Sequence, residues 1–469
     1  MRALRFFGWT CAFTLVATLG ASRLAADEPK SAPPPAPTAE ASSQAAPAKP
    51  APAEPFAFAD FTWASGNYAP PAPLIDTKYF TGEVRFDVNY IYDFVHPKDH
   101  SIDGAAEAGR TQEVQLQQLG LGGDFHWENV RARFMTQFGG YSVQTVRNDA
   151  SPSRGQWDLS TALRYISEGY AGYHIDKMNG INIDAGIFMS YVGLWSYYNF
   201  DNWTYIPSYV SANTPWFFQG IRIQIFPSDK LKIEPWITNG WQSYGMFNES
   251  PGLGFQVKWT PTGSLMVLSN NYYGKDTMLN PDRRRWHTDN SLLIKYFDRP
   301  TAFLDKAAFT LTVDAGCETG GGVSCTGSST DAAQNFLGFM LYNRLWFKKD
   351  TFAVTVGGGA FTNPGRYLAL VPPINGATAA TGTPYFTQSP GDSYKGFDFS
   401  IGFDYMPNRY ITFRGEFVHR GTNVPYFAGA GGMTPDGGNT GNPSAIVPGF
   451  TPDLRKYENR LDFALMTRF

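Results

Sequence analysis

Six histidines, His96, His100, His126, His174, His287 and His419, are the residues on which general-base or metal chemistry would rest. None stands in a Gly-x-Ser-x-Gly turn or an Asn-His-Ser arrangement, so hydrolysis has no machinery in the sequence, and loop, turn or rim positions are expected for most of them. No metal-ligand or organic-cofactor motif, and so no catalytic residue, is found. The thiols are Cys11, Cys317 and Cys325. Cys11 lies in the apolar heart of an N-terminal leader, which leaves Cys317 and Cys325 in the Gly-rich stretch Gly316 to Gly327. In an exported chain such a pair is expected to close a small intraloop disulfide, with free thiols as the alternative. Gly316, Gly320, Gly321, Gly322 and Gly327 let the loop fold back far enough for the bridge. Arg283, Arg284 and Arg285 could bind phosphate or anionic lipopolysaccharide, but a solvated charge run is the better reading.

The 469 residues carry 38 Lys and Arg against 41 Asp and Glu, a formal charge of −3 that offers no basic surface to nucleic acid. Charged residues make up only 17% while aromatics reach 16%, a composition unlike either an average soluble domain or a disordered chain. Beyond the first 25 positions no run of about 18 apolar residues occurs, which excludes helical membrane spans and leaves a sheet as the means of meeting lipid. Arg2 and Arg5, the apolar stretch Phe6 to Gly20, and small residues at Ala21, Ala25 and Ala26 predict a secretory signal peptide over residues 1–26. Without it the chain holds 35 basic and 41 acidic residues, about −6. Residues 27–55 contain nine Pro and nine Ala in 29 positions, too little apolar bulk for a core, and read as a disordered periplasmic tether. Residues 56–77 then lead into the remainder, 78–469.

That remainder is an all-β pattern. An alternating segment, a short turn, a second alternating segment and a long polar loop recur from Lys78 to the end. Period two with one apolar and one polar face, in segments of about 10 residues, is what a transmembrane β-strand requires. In the first strand Phe80, Val84, Phe86, Val88, Tyr90, Tyr92 and Phe94 share one face, opposite Thr81, Glu83, Arg85, Asp87 and Asn89. Short turns are expected at 128–129, 177–180, 227–230, 260–263, 298–306, 348–350 and 407–409. Long loops fall near 95–110, 139–160, 191–214, 242–251, 274–287, 316–331, 361–395 and 420–453. The count is sixteen strands, to within two, in an antiparallel barrel of the Gram-negative outer membrane with both termini periplasmic. Weaker strands such as Thr111 to Trp127, where the alternation slips near Gln117 to Leu119, set that margin. The last strand sets Tyr457, Leu461, Phe463, Leu465 and Phe469 against Glu458, Arg460, Asp462, Met466 and Arg468. Its ending in Phe469 resembles the signal that outer-membrane barrels present to their assembly machinery.

Assigning faces by alternation also predicts the lumen wall. Arg131, Arg133, Arg164, Arg222, Lys232 and Lys258 form a basic arc with Asp184 and Glu234 as exceptions. Glu83, Asp87, Asp398, Asp404, Glu416, Glu458 and Asp462 form an acidic arc with Arg85, Arg414, Arg460 and Arg468 interspersed. Opposed arcs would orient polar solutes and leave a weak net ion preference, whereas the bland reading is cross-strand ion pairing. The segment 191–214 is the expected constriction loop, carrying Trp195, Tyr197, Tyr198, Asp201 and Trp203; an aromatic belt or ordinary loop packing is the competing reading.

FTWASGN at Phe61 to Asn67, the strand end VNYIYDF, GIFMSYVGLWSYYNFDNW at Gly186 to Trp203, TPWFFQGIRI at Thr214 to Ile223, and ITNGW at Ile237 to Trp241 resemble landmarks of the second β-barrel porin family, described as OmpL-like. Where that family often has an acidic residue after the central glycine, this chain has Leu194 and Trp195. The resemblance covers almost the whole ordered region and implies a barrel and a porin class, with no catalytic site and no named solute.

The expected function is passive diffusion of small hydrophilic solutes and ions through a lumen without a plug domain, since only about 20 ordered residues precede the first strand. A structural or adhesion-type barrel without a conducting pore is the alternative. Outer-membrane lipids, the barrel assembly machinery and, by analogy with other sixteen-stranded porins, a homotrimer are the expected partners.

Overall fold

The computed structural model describes residues 54–469 except 67–72, 106, 147–148, 150, 152–154, 247, 278–279, 330, 366, 368–393 and 436–447. The expected signal peptide, nearly all of the expected Pro/Ala tether and part of the last two loops lie outside the described residues.

Sixteen strands, each antiparallel to its neighbours, close into one barrel in chain order. They are β1 (Phe80–Asp93), β2 (Val114–Trp127), β3 (Val130–Thr136), β4 (Ile166–Ile175), β5 (Ile181–Met189), β6 (Phe217–Ser228), β7 (Leu231–Thr238) and β8 (Gly252–Thr262). The second half comprises β9 (Leu265–Gly274), β10 (Arg284–Asp298), β11 (Leu304–Thr319), β12 (Asn335–Phe347), β13 (Phe352–Thr362), β14 (Lys395–Asn408), β15 (Ile411–Thr422) and β16 (Tyr457–Arg468). Connections of two to five residues join alternate pairs at the end that also holds the start of β1 and the end of β16, and long loops join the rest at the other end. Both the strand count and this asymmetry agree with the sequence reading. No helix among the described residues is long and apolar enough to cross a membrane, and the crossing is made by strands.

The strands form because each must satisfy its backbone groups without water while showing one face to lipid. In β1, Glu83, Arg85, Asp87, Asn89 and Asp93 are buried on the lumen side, whereas Phe86 and, just past the strand, Phe94 are exposed on the lipid side. Rings such as Phe125, Trp127, Trp259, Trp286, Phe399, Phe403 and Phe463 continue that outward face around the barrel. The slip in β2 is a β-bulge. Asp87 pairs with Gln118 and Val88 with Leu116, so Gln117 is the extra residue. Gln117 and Gln118 are both buried, which restores the phase for the rest of the strand.

Closure is made by β1 and β16, paired from Arg85–Arg468 to Asp93–Arg460. The amide of Phe469 donates to the Val84 carbonyl at 2.9 Å, and the Phe469 carbonyl accepts from the Val84 amide at 3.0 Å. Cys317 and Cys325 are joined by a disulfide with Cα atoms 5.2 Å apart. The bridge is not contained within the loop, as the sequence suggested. Cys317 belongs to β11, because pairing continues through Gly316 to Thr319, ahead of Gly320 to Gly322.

Candidate functional site: the barrel lumen

The connection from β5 to β6, residues 190–216, turns into the barrel instead of outward. Every residue from Asn202 to Phe218 is buried. Its polar groups are matched one by one to the lumen wall, which is why so polar a segment can be enclosed. Asp201 bridges two wall arginines, pairing with Arg85 at 3.2 Å and with Arg468. The Tyr205 hydroxyl donates to Asp87 at 2.9 Å, and the Tyr205 amide donates to Glu416 at 2.6 Å. Asp398 accepts from the Ser208 hydroxyl at 2.7 Å and the Tyr209 amide at 3.0 Å. Arg414 donates to the Asn202 carbonyl at 2.8 Å, and Arg420 donates to the carbonyls of Pro207 and Gly104 at 2.8 and 2.6 Å. The expected constriction residues Trp195, Tyr197, Tyr198, Asp201 and Trp203 are thus inside the barrel. Their rings, however, are committed to protein neighbours. Tyr198 donates to Glu168 at 2.9 Å and lies 3.9 Å from the Arg85 guanidinium. Trp195 packs edge-on to Tyr342, Trp203 edge-on to Trp346, and Tyr197 donates to Gln137.

The lead-in segment, expected to be too short to obstruct the lumen, enters it from the short-turn end. Its Phe56 amide donates to the Asp229 carbonyl at 2.7 Å, and the Trp63 indole donates to the Gly263 carbonyl at 3.1 Å. Deeper in, the Trp203 indole donates to the Trp63 carbonyl at 3.0 Å and the Gly66 amide to the Asp201 carbonyl at 3.0 Å. Phe61, Trp63 and Ala64 share one apolar cluster with Trp195, Trp203, Met340 and Trp346. Gly66 has φ +68°, and a Cβ there would lie 1.9 Å from the Leu194 carbonyl oxygen. That approach explains the glycine in FTWASGN, a motif that carried family likeness but no site in the sequence reading.

Both arcs are extensively ion-paired. On the acidic side, Asp87, Asp398 and Glu416 are engaged by the inward loop, and Asp404 pairs at 2.6 Å with both Arg344 and Arg414. Arg460 pairs with Glu458 at 2.7 Å and lies 3.5 Å from Asp462. Glu83 holds Arg85 and Arg133, the latter at 2.8 Å. Arg133 also pairs with Asp124 at 2.8 Å and Glu168 at 3.0 Å. On the basic side, Asp184 is shared by Arg131 at 3.3 Å and Arg222 at 3.0 Å, while Glu234 pairs with Lys232 at 2.8 Å. Near the short turns Arg131, Lys232 and Lys258 line a cavity of about 500 Å³ with Asn179, Asn182 and Gln224. Arg164 departs from the expected wall. It caps the short helix Leu159–Leu163 in the β3–β4 loop and donates to the Ser160 carbonyl at 3.1 Å, because β4 begins only at Ile166.

Residues 80–447 match the family described as "Putative beta-barrel porin-2, OmpL-like". The chain belongs to that family. This member is accordingly an outer-membrane barrel of the Gram-negative porin class. Among solved structures it is similar to the outer membrane channel DcaP of Acinetobacter baumannii, at 12% identity over 85% of this chain and 100% of that one, TM-score 0.44. It is also similar to an anion-selective porin from Comamonas acidovorans (8%, 83% and 99%, TM-score 0.47) and to OprB of Pseudomonas putida (9%, 84% and 94%, TM-score 0.46). No curated protein matches the sequence. Among the described residues, no group of three or more His, Cys, Asp and Glu side chains is arranged to hold a metal ion.

Proposed function

We propose that this porin-family barrel passes small hydrophilic solutes and ions by passive diffusion, along the basic arc of its wall. The observation that carries the reading is the uneven filling of a closed, polar-lined barrel. The inward loop engages Asp87, Asp398 and Glu416 of the acidic arc, and a cavity of about 500 Å³ lies beside Arg131, Lys232 and Lys258. Side chains on the lumen face set selectivity without disturbing the lipid face. No step in such transport calls for a catalytic residue or cofactor. The C-terminal strand ending in Phe469 would be read by the assembly machinery, outer-membrane lipid would bathe the aromatic outer face, and a homotrimer is the assembly proposed.

A second reading, a structural or adhesion-type barrel, is favoured by the unbroken burial of Asn202 to Phe218 and by Trp63 beneath it. Single-channel recording of refolded protein in a planar bilayer separates the two. Stepwise, ohmic conductance supports the porin, and an electrically silent, correctly folded barrel supports the structural reading.

A further inference from the structure

We propose that the outer face of β8 to β11 is an interface with a second copy of this chain, centred on Ser269, Asn271, Thr288 and Asn290. In β9 and β10 the lumen face is taken by Asn270, Tyr272, His287, Asp289 and Ser291, all buried, so the four residues that alternate with them point to the membrane. They form one block, because Thr288 pairs with Asn271 and Asn290 with Ser269 across the ladder. The Ser269 hydroxyl donates to the Asn290 side-chain carbonyl at 2.7 Å, and the Asn290 side-chain amide donates to the Thr288 hydroxyl at 2.9 Å. The Asn271 side-chain amide donates to the Ser269 hydroxyl at 3.3 Å. Asn290 is nevertheless exposed. Its second side-chain N–H, the Thr288 hydroxyl hydrogen and the Asn271 side-chain carbonyl have no hydrogen-bond partner among the described residues.

Depth makes these open groups costly. The exposed rings of Trp286 and Tyr296 bracket the block along β10. At about 3.3 Å per residue and a tilt of about 40°, the two rings stand about 25 Å apart along the barrel axis, the height of an apolar band, and Asn290 lies about 10 Å inside it. Hydrocarbon there supplies neither donor nor acceptor. On β14 to β16 the outward positions instead hold Phe399, Ile401, Phe403, Phe463 and Leu465, all exposed, as lipid contact requires. Apolar side chains also flank the polar block, Phe255 beside Asn271 on β8 and Val313 beside Asn290 on β11. A protein partner can satisfy the open groups and cover these flanks together. The block carries no charge, and its hydroxyls and amides donate as well as accept, so it is complementary to itself. Copies meeting here can exchange hydrogen bonds about a two-fold or a three-fold axis.

The inference rests on the homo-oligomer named in the proposed function and not on conduction, so the two can fail separately. The full chain is produced in a bacterial outer membrane with Asn290→p-benzoylphenylalanine and irradiated in place. An adduct of twice the chain mass, identified by mass spectrometry as two copies, is expected, and Ile401→p-benzoylphenylalanine on β14 should give none above background. The double variant Ser269→Val with Asn290→Leu suits a lipid face and should still assemble as a barrel. Its dissociation constant, measured by analytical ultracentrifugation in detergent, should rise about tenfold, the loss of two hydrogen bonds in the membrane. Adducts at position 290 only with lipid or with a different protein, a wild type that is monomeric both in the membrane and in detergent, or unaltered association of the folded double variant overturns the interface. Cross-linking in the membrane decides the matter even where the double variant fails to fold. A monomer that conducts would keep the channel and remove the interface, and an electrically silent oligomer linked through position 290 would do the reverse.

Discussion

Asp201 fastens the inward loop to both sides of the barrel seam, since Arg85 is on β1 and Arg468 on β16. Removing one partner of a buried ion pair leaves charge in a poor solvent and costs about 3 kcal/mol. Asp201→Ala should therefore lower the temperature at which the folded barrel loses its fast electrophoretic mobility, and raise open-channel noise; unchanged values of both would show that the clamp carries no load. A second carboxylate acts outside the membrane. Asp99, in the β1–β2 loop, accepts from the Met433 and Thr434 amides at 2.6 and 2.8 Å and from the Thr434 hydroxyl at 2.9 Å. Partial burial would raise its pKa, but these donors outweigh burial and hold it below the usual carboxylate value. A depressed folded pKa contributes stability above the unfolded pKa of about 3.9, and that stability disappears as pH falls through the folded value. The contact between the first and last long loops should thus persist at neutral pH and open below about pH 4. Asp99→Asn should make protease cleavage near residue 434 several-fold faster at pH 7 and flatten its rise in acid.

The lead-in strand of chain, residues 54–66, is an element whose importance exceeds its length. Deleting it should widen the short-turn mouth and raise single-channel conductance, because Phe61 and Trp63 leave the cluster around Trp203. Gly66→Ala should give part of the same increase, since the Cβ cannot occupy the 1.9 Å beside Leu194 and the segment must shift. Conductance equal to wild type in the deletion would mean that solutes bypass this segment. The disulfide belongs to the same scale. A loop of so few residues restricts the unfolded chain modestly, about 2–3 kcal/mol. Replacing both Cys317 and Cys325 with Ser should loosen the β11–β12 loop to proteolysis while leaving barrel assembly intact. Quantitative thiol labelling of denatured, unreduced wild type would contradict the bridge.

At the scale of the whole molecule, the formal charge of −3 and the local field point in opposite directions. Both arcs are largely ion-paired, and the basic groups that line the cavity are the ones placed to bias the field that a permeating ion meets. Neutralising Arg131, Lys232 and Lys258 together should move the reversal potential in a salt gradient toward cation selectivity. The change should shrink from about 0.01 to about 1 M salt as the screening length falls from about 30 to about 3 Å. No change at low salt would mean that the permeation path avoids this arc. Arg133 and Arg164 are poor choices for such a test. The first is held by three carboxylates and the second lies beyond the wall.

Strand number, the faces of β1 and β16, the end at which β1 starts and β16 finishes and even the site of the β2 bulge were legible in the sequence. Lipid on one side and the lumen on the other force a choice at every residue, so alternation is a local record of a global shape. The inward loop was also marked, by its aromatic content between Tyr191 and Tyr209. Where its groups would attach was not. Asp201 meets Arg468 and Arg420 meets Gly104 across more than 260 positions, and loop length alone does not say whether a segment folds in or out. The same holds for the lead-in segment, whose Phe61 and Trp63 are ordinary apolar residues until Trp203 and Trp346 stand opposite them. Period two assigns a charge to the lumen face. Only packing within the lumen decides whether that charge meets water, a partner or another part of the chain, because the filling comes from segments that the alternating pattern does not describe.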